Sequence, residues 1–244
     1  SAADPQWLAK WFDLPLGEVI RPGVLQDRLN LFNASSDYTA DAQYVPGQSF
    51  GTSDLEVATP ELASTQYWAM GELPQVGSGR TLGNSLIMGF RHYPATSVGG
   101  RVDGMAIQGP HSTSLSLSGA LPLGHQGWRV GANASVSRSR TRLPSTDAAV
   151  GSLLIEGQSS VVSLELIKHQ SDPLGQMWKL SGGLSQVHSA SETSGVTLTD
   201  RSVQRATLAA STDWVVDPAS GPERATFRGT VNVAKGPISR FAYA

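Results

Sequence analysis

From about Ala63 to the end of the chain, apolar side chains recur at every second position, the period of a strand whose two faces meet different surroundings. The stretch from Gln126 to Arg140 is the plainest. There Trp128, Val130, Ala132, Ala134 and Val136 fall on one face, and Arg129, Gly131, Asn133, Ser135 and Ser137 on the other. Residues 112–121 set Leu115, Leu117 and Leu121 against Ser112, Ser114, Ser116 and Ser118, and 178–186 set Trp178, Leu180 and Leu184 against Lys179, Ser181 and Ser185. In 204–216, Ala206, Leu208, Ala210, Trp214 and Val216 alternate with Arg205, Thr207, Ser211 and Asp213. In 224–234, Ala225, Phe227, Val231 and Val233 alternate with Arg224, Thr226, Arg228, Thr230 and Asn232. About eight or nine such strands are expected. Leu121-Pro122-Leu123-Gly124, Asp172-Pro173-Leu174-Gly175 and Asp217-Pro218 have the turn chemistry that joins neighbours into a meander.

The polar faces bear on which all-β architecture this is. They are rich in Ser, Thr, Gly and Arg, which suits a hydrated lumen better than the Lys- and Glu-rich surface of a soluble sandwich. The 26 glycines and the length of the strands point the same way, towards an antiparallel transmembrane β-barrel. A soluble β-sandwich is the alternative. No run of 18 apolar residues occurs, which excludes a transmembrane helix but leaves a barrel strand of about ten alternating residues untouched. Only 16% of residues are charged, the net charge is −2 and the pI is about 6.2, so nothing marks a nucleic-acid surface. Absence of cysteine removes disulfides and thiolate chemistry. The opening Ser1-Ala2-Ala3-Asp4-Pro5 lacks the charged and apolar regions of a signal peptide, so any such peptide is expected to have been cut off or to lie outside this sequence.

Residues 1–62 have a different texture. Leu25, Leu29 and Phe32 take helical spacing after Pro22-Gly23, which predicts one helix near 23–33. Asp37 to Val45 and Asp54 to Thr59 read as short strands separated by Pro46-Gly47 and Gly51. The expected organisation is a small α/β accessory domain over 1–62 and a barrel, or part of one, over 63–244.

Candidate chemistry is sparse. Gly47-Gln48-Ser49-Phe50-Gly51 matches the nucleophile-elbow pattern, but that motif needs a strand before it and a helix after it, and a strand is expected to follow. The five histidines, His92, His111, His125, His169 and His188, never fall at metal-ligand spacing. Gly77-Ser78-Gly79-Arg80 lacks the lysine and hydroxyl of a phosphate cradle and reads as a hairpin turn. No catalytic residue, metal or cofactor is expected. The residues singled out instead are lumen candidates, Arg129, Arg138, Arg140, Glu165, Arg205, Asp213 and Arg228, and lipid-facing candidates, Trp128, Val130, Trp178, Leu208, Trp214 and Phe227. The lumen set has two readings: contact with a passing unfolded chain, or mutual pairing inside the barrel.

Several segments carry a family likeness. Gly23-Val24-Leu25-Gln26-Asp27-Arg28-Leu29-Asn30-Leu31-Phe32-Asn33 resembles the helix of a second POTRA domain, and Pro46-Gly47 with Gly51 to Val57 resembles its closing hairpin. Ser114 to Gly124 followed by Gly127-Trp128-Arg129-Val130-Gly131 is similar to an early strand, turn and strand of the barrel, and Pro173-Leu174-Gly175 and Arg201 to Ala210 follow in order. In this the chain resembles the TpsB transporters of two-partner secretion, the haemolysin and filamentous-haemagglutinin secretion/activation class. The likeness departs at two places. The family's Asp-Asn pair is missing around Pro74 to Gly83, and the chain reaches Ala244 before the Val-Arg-Gly-Tyr lid motif. About half of the family's barrel would be present, and Arg240 to Ala244 lacks the terminal aromatic of a last strand.

The resemblance implies an outer-membrane barrel with a periplasmic, POTRA-like amino-terminal part and an exported protein as partner. Two other functions are kept beside it: a structural or assembly subunit of an outer-membrane secretion or filament complex, and a soluble β-rich binding module. The lipid bilayer is an expected partner of the first two, and nucleic acid of none.

Overall fold

The computed structural model describes residues 3–13, 17, 21–72, 85–94, 98–144, 152–172, 176–194, 196–216 and 223–235, with backbone alone at 72, 143–144, 213–216 and 223–226. Two helices come first, α1 (Pro5–Trp11) and α2 (Pro22–Ser35). Asp4 caps α1 by accepting from the Gln6 N–H at 2.8 Å, and Pro5 starts it where a missing N–H costs nothing. Trp7 and Trp11, one turn apart, share its buried face. In α2 the buried positions are Leu25, Phe32 and Ser35. The predicted helix near 23–33 is thus found, slightly longer, whereas α1 was not foreseen.

A two-stranded antiparallel hairpin follows, β1 (Asp41–Pro46) and β2 (Ser53–Ala58). Phe32, 0% exposed, packs among Trp7, Trp11 and Phe12 at ring distances of 5.4–5.6 Å. Tyr38, Ala40 and Leu25 complete this small core. Asn33 fastens the chain end to it, donating to Ala40 O and accepting from Ala40 N. Two helices and one hairpin do not by themselves make a clear POTRA domain, so the expectation of that fold is not met in full.

The rest is one antiparallel meander in sequence order: β3 (Thr65–Glu72), β4 (Ser85–His92), β5 (Arg101–Gln108), β6 (Ser112–Leu123), β7 (Trp128–Pro144), β8 (Ser152–Ser171), β9 (Met177–Thr193), β10 (Val196–Val216) and β11 (Glu223–Lys235). The register shifts once, between Thr197 and Thr199. No described strand joins β3 to β11, so the nine strands form an open sheet rather than the closed barrel expected.

Because the register is otherwise unbroken, alternation within each strand becomes two continuous faces across the sheet. One carries Leu86 and Met88, Leu115 and Leu117, Trp128 to Val136 at alternate positions, Val162, Leu164 and Leu166, Leu180 and Leu184, Leu208, then Val231 and Val233. This apolar face is the exposed one: Leu164 is 59% and Leu208 67% exposed. The opposite face, dominated by Ser114, Ser116, Ser135, Ser163, Ser181 and their neighbours, is the more sheltered.

Antiparallel pairing brings alternate strand ends to the same end of the sheet. The β4–β5, β6–β7 and β8–β9 turns lie at the near end, where the amino-terminal module packs. At the far end β7 to β10, of 17, 20, 17 and 21 residues, outreach the 8-residue strands β3 to β5.

Candidate functional site

The amino-terminal module sits on the near end through a charged seat that joins distant parts of the chain. Arg129, at the start of β7 on the polar face, donates to Ser35 O at 2.9 Å and to the Asp37 carboxylate at 2.7 Å. Asp37 also accepts from Arg101 at 3.1 Å. Arg101 in turn meets Asp103 at 3.0 Å, and Asp103 meets Arg91 at 2.6 Å. The ladder Arg91–Asp103–Arg101–Asp37–Arg129 therefore links β4, β5 and β7 to the chain just after α2. Its inner pair is deeply buried, with side chains 9% exposed at Arg129 and 5% at Asp37. Groups so desolvated are held only because each is paired and hydrogen-bonded.

Close backbone approach makes this seat possible at two glycines. Gly99 has φ +75, its carbonyl accepts from the Asp37 N–H, and a Cβ there would strike Ser36 and Tyr38. Gly127 has φ +76, and a Cβ would collide with the His169 carbonyl and the Leu31 side chain. Both are turn positions where only glycine is unstrained. Beside Gly127, the His125 ring lies 6.2 Å from Trp7 and 5.9 Å from Trp11, with Nε2 buried and without a hydrogen-bond partner. Burial, and then Lys10, hold the His125 pKa below its ordinary value of 6.5. A cleft of about 460 Å³ opens alongside, lined by Lys10, Trp11, Asp13, Arg28, His125 and Lys168.

The two faces sort the singled-out residues. Arg129, Glu165, Arg205 and Arg228 lie on the polar face, Glu165 between Gly131 and Gly183 in register. Only Arg129 enters the charged seat. Arg138 and Arg140 share the register face of Val136, the apolar side, so their assignment to the polar face is corrected. Two residues per step is the whole reason: 138 and 140 continue the even positions of β7 past the apolar stretch. Arg140 pairs there with Glu156 at 2.7 Å. Trp128, Val130, Trp178, Leu208 and Phe227 lie on the apolar side, where Lys168 covers the Trp128 ring at 5.0 Å and Trp178 meets Phe227 at 6.2 Å. Asp213 and Trp214 are described as backbone only and fall in register with the polar and apolar faces respectively.

Ser49 is exposed in the link from β1 to β2, where Thr52 Oγ1 donates to its carbonyl. No helix follows it. Among the described residues no three His, Asp or Glu side chains gather for a metal, and no helix is long and apolar enough to cross a membrane. The expectations placed on Pro74 to Gly83, on Gly77 to Arg80, on Pro173 to Gly175, on Asp217-Pro218 and on Arg240 to Ala244 lie outside the described residues.

No protein-family model and no curated protein matches the chain. Among solved structures, CdiB from Escherichia coli is similar, with a TM-score of 0.71 at 14% identity over 99% of this chain and 45% of that one. At that identity the likeness is one of fold, a long antiparallel meander sheet. The chain thus spans under half the length of this structural neighbour. BamA from Haemophilus ducreyi lacking POTRA domains 1-3 aligns over 96% of this chain and 53% of that one, with 10% identity and a TM-score of only 0.45.

In this sheet the sequence singles out Arg129 but not its partners. Asp37 was read as the start of a strand, and Arg91, Arg101 and Asp103 were passed over. The usable signal is that they are charged and alternate at positions sharing one face of β4 and β5.

Replacing Asp37 by Leu leaves Arg129 buried and uncompensated, and should destabilise the docked module by about 3–5 kcal/mol. Arg129→Leu should cost less, because Asp37 keeps Arg101. Urea titration followed by tryptophan emission checks this, with the double variant expected to recover part of the loss. The His125 seat has its own pH signature. A histidine whose pKa is lowered by folding adds stability above its unfolded value, and that stability drains away as pH falls through the folded one. Docking should therefore weaken below about pH 6.5, and His125→Phe should flatten this part of the stability profile against pH.

Proposed function

We propose that this chain is part of an outer-membrane protein transporter of the two-partner-secretion kind, with residues 1–62 in the periplasm and residues 63–244 forming barrel wall. The observation that carries this reading is the inverted sheet. Its exposed face is apolar in β4 and from β6 to β11 while its sheltered face is rich in serine, the arrangement of a wall between lipid and a wet lumen. On β7 the apolar stretch from Trp128 to Val136 runs about 26 Å along the strand. At an ordinary barrel tilt this rises about 20 Å, close to the outer-membrane apolar band of roughly 25 Å. Trp128 and Trp178 stand at its near edge, where interfacial aromatics are favoured.

The fold shared with CdiB supports the same reading, and the partner would be an unfolded exported protein moving along the polar face. Nine strands alone enclose a lumen filled by their own side chains, so a conduit needs more wall than these strands supply. The competing role, a structural subunit of an outer-membrane complex, shares the membrane face and differs in what touches the polar one. A soluble binding module is disfavoured by the breadth of the exposed apolar face.

Two labels on the same membranes test this. A cysteine at Leu164 should resist a water-soluble maleimide in intact membranes while one at Thr141 reacts, and ready labelling of Leu164→Cys would sink the membrane placement. A photocrosslinker at Ser135 should capture an extended polypeptide in transit; capture only of folded membrane neighbours would favour the structural subunit. No catalytic role is proposed. Covalent capture of Ser49 by a serine-directed probe, lost in Ser49→Ala, would overturn that, and no capture is expected.

A further inference from the structure

On the apolar side of the sheet, β7 changes character just beyond Val136. Arg138, Arg140 and Arg142 follow at alternate positions and keep the face of Trp128 to Val136. Three guanidinium groups therefore stand in line with the apolar band. In register, Arg138 lies between Thr113 of β6 and Gln158 of β8. These rows line a recess of about 650 Å³ at the far end of the sheet. Its acidic groups lie towards β8 to β10, and the one nearest the arginines, Glu156, is taken up by Arg140 at 2.7 Å. Arg138 and Arg142 are exposed and have no ion-pair partner among the described residues.

Depth decides what such a pair can meet. Arg138 lies about 7 Å along the strand from Val136, the last apolar residue of the row. If acyl chains cover Leu115, Leu117, Val136 and Val162, the first groups above them are headgroup phosphates. A planar guanidinium binds a phosphate through paired N–H donors, and the hydroxyl and amide of Thr113 and Gln158 flank the position.

We propose that Arg138 and Arg142 bind the phosphates of an outer-leaflet phosphoglycolipid whose acyl chains lie on the apolar band below. This rests on the membrane reading above and adds to it a lipid class and a place. The far end, opposite the amino-terminal module, is the end that then reaches the outer leaflet.

The test uses the full chain inserted into phosphatidylcholine vesicles that carry either bisphosphorylated lipid A or the same glycolipid with its phosphates removed. After extraction into mild detergent, native mass spectrometry counts the glycolipid that stays bound. The wild-type chain should retain the bisphosphorylated form over the phosphate-free one. At roughly fivefold per arginine, Arg138→Gln with Arg142→Gln should lower retention about 25-fold. Arg205→Gln with Arg228→Gln, on the polar face, should leave it unchanged. Equal retention of the two glycolipids, or an equal loss in the polar-face variant, would overturn the lipid site while leaving membrane insertion intact. A chain that alkaline carbonate strips from the vesicles would overturn the membrane reading and this site together.

Discussion

Every larger feature of this protein depends on register. A strand presents its side chains alternately to two sides, so a slip of one residue would exchange the two faces wholesale. Here eight successive antiparallel pairings hold Leu117, Ala134, Val162 and their neighbours on one side from β3 to β11. In an apolar solvent no backbone polar group has water to turn to, and strand-to-strand pairing is then the only way to satisfy it. The same ladder thus satisfies the backbone and separates the two faces. The polar side gathers Ser and Gly with charged groups such as Arg129 and Glu165, and the apolar side is Leu, Val, Ala and aromatic rings until the arginines of β7 at its far end.

Against this repetitive wall, the amino-terminal module is held by a few specific contacts. Its aromatic core around Phe32 draws its buried members from residues 3–40, and Val98 and His125 from the near end of the sheet pack against it. What commits it to the near end is Asp37 between Arg129 and Arg101, with Gly99 and Gly127 letting the chain come close enough. The ion pairs set orientation more than stability, because two buried charges repay their desolvation only when the geometry is met on both sides. The His125 ring against two indoles adds a contact that depends on its protonation state.

Comparison of the reading with the structure turns on distance along the chain. The helix at Pro22 to Ser35 and the hairpin on either side of Gly47 to Gly51 announce themselves through local spacing and turn residues. The first helix did not, because seven residues show only two turns of pattern and its two tryptophans read equally well as scattered aromatics. Arg138 and Arg140 were misplaced by chemical type: grouped with Arg129 as cations, they differ from it by an odd number of residues and so face the other way.

The sequence by itself determined that residues beyond Ala63 form long amphipathic strands, which of their side chains share a face, and that Ser and Gly dominate one of those faces. Such facts follow from a period of two and need no knowledge of neighbours. Only the tertiary structure decided which face is sheltered, that the nine described strands pair in strict order, and that Asp37 meets Arg129 across 92 positions of sequence. The physical reason is that a pairing between distant groups leaves no local pattern: its geometry exists only once the intervening strands have set the register that brings the two together.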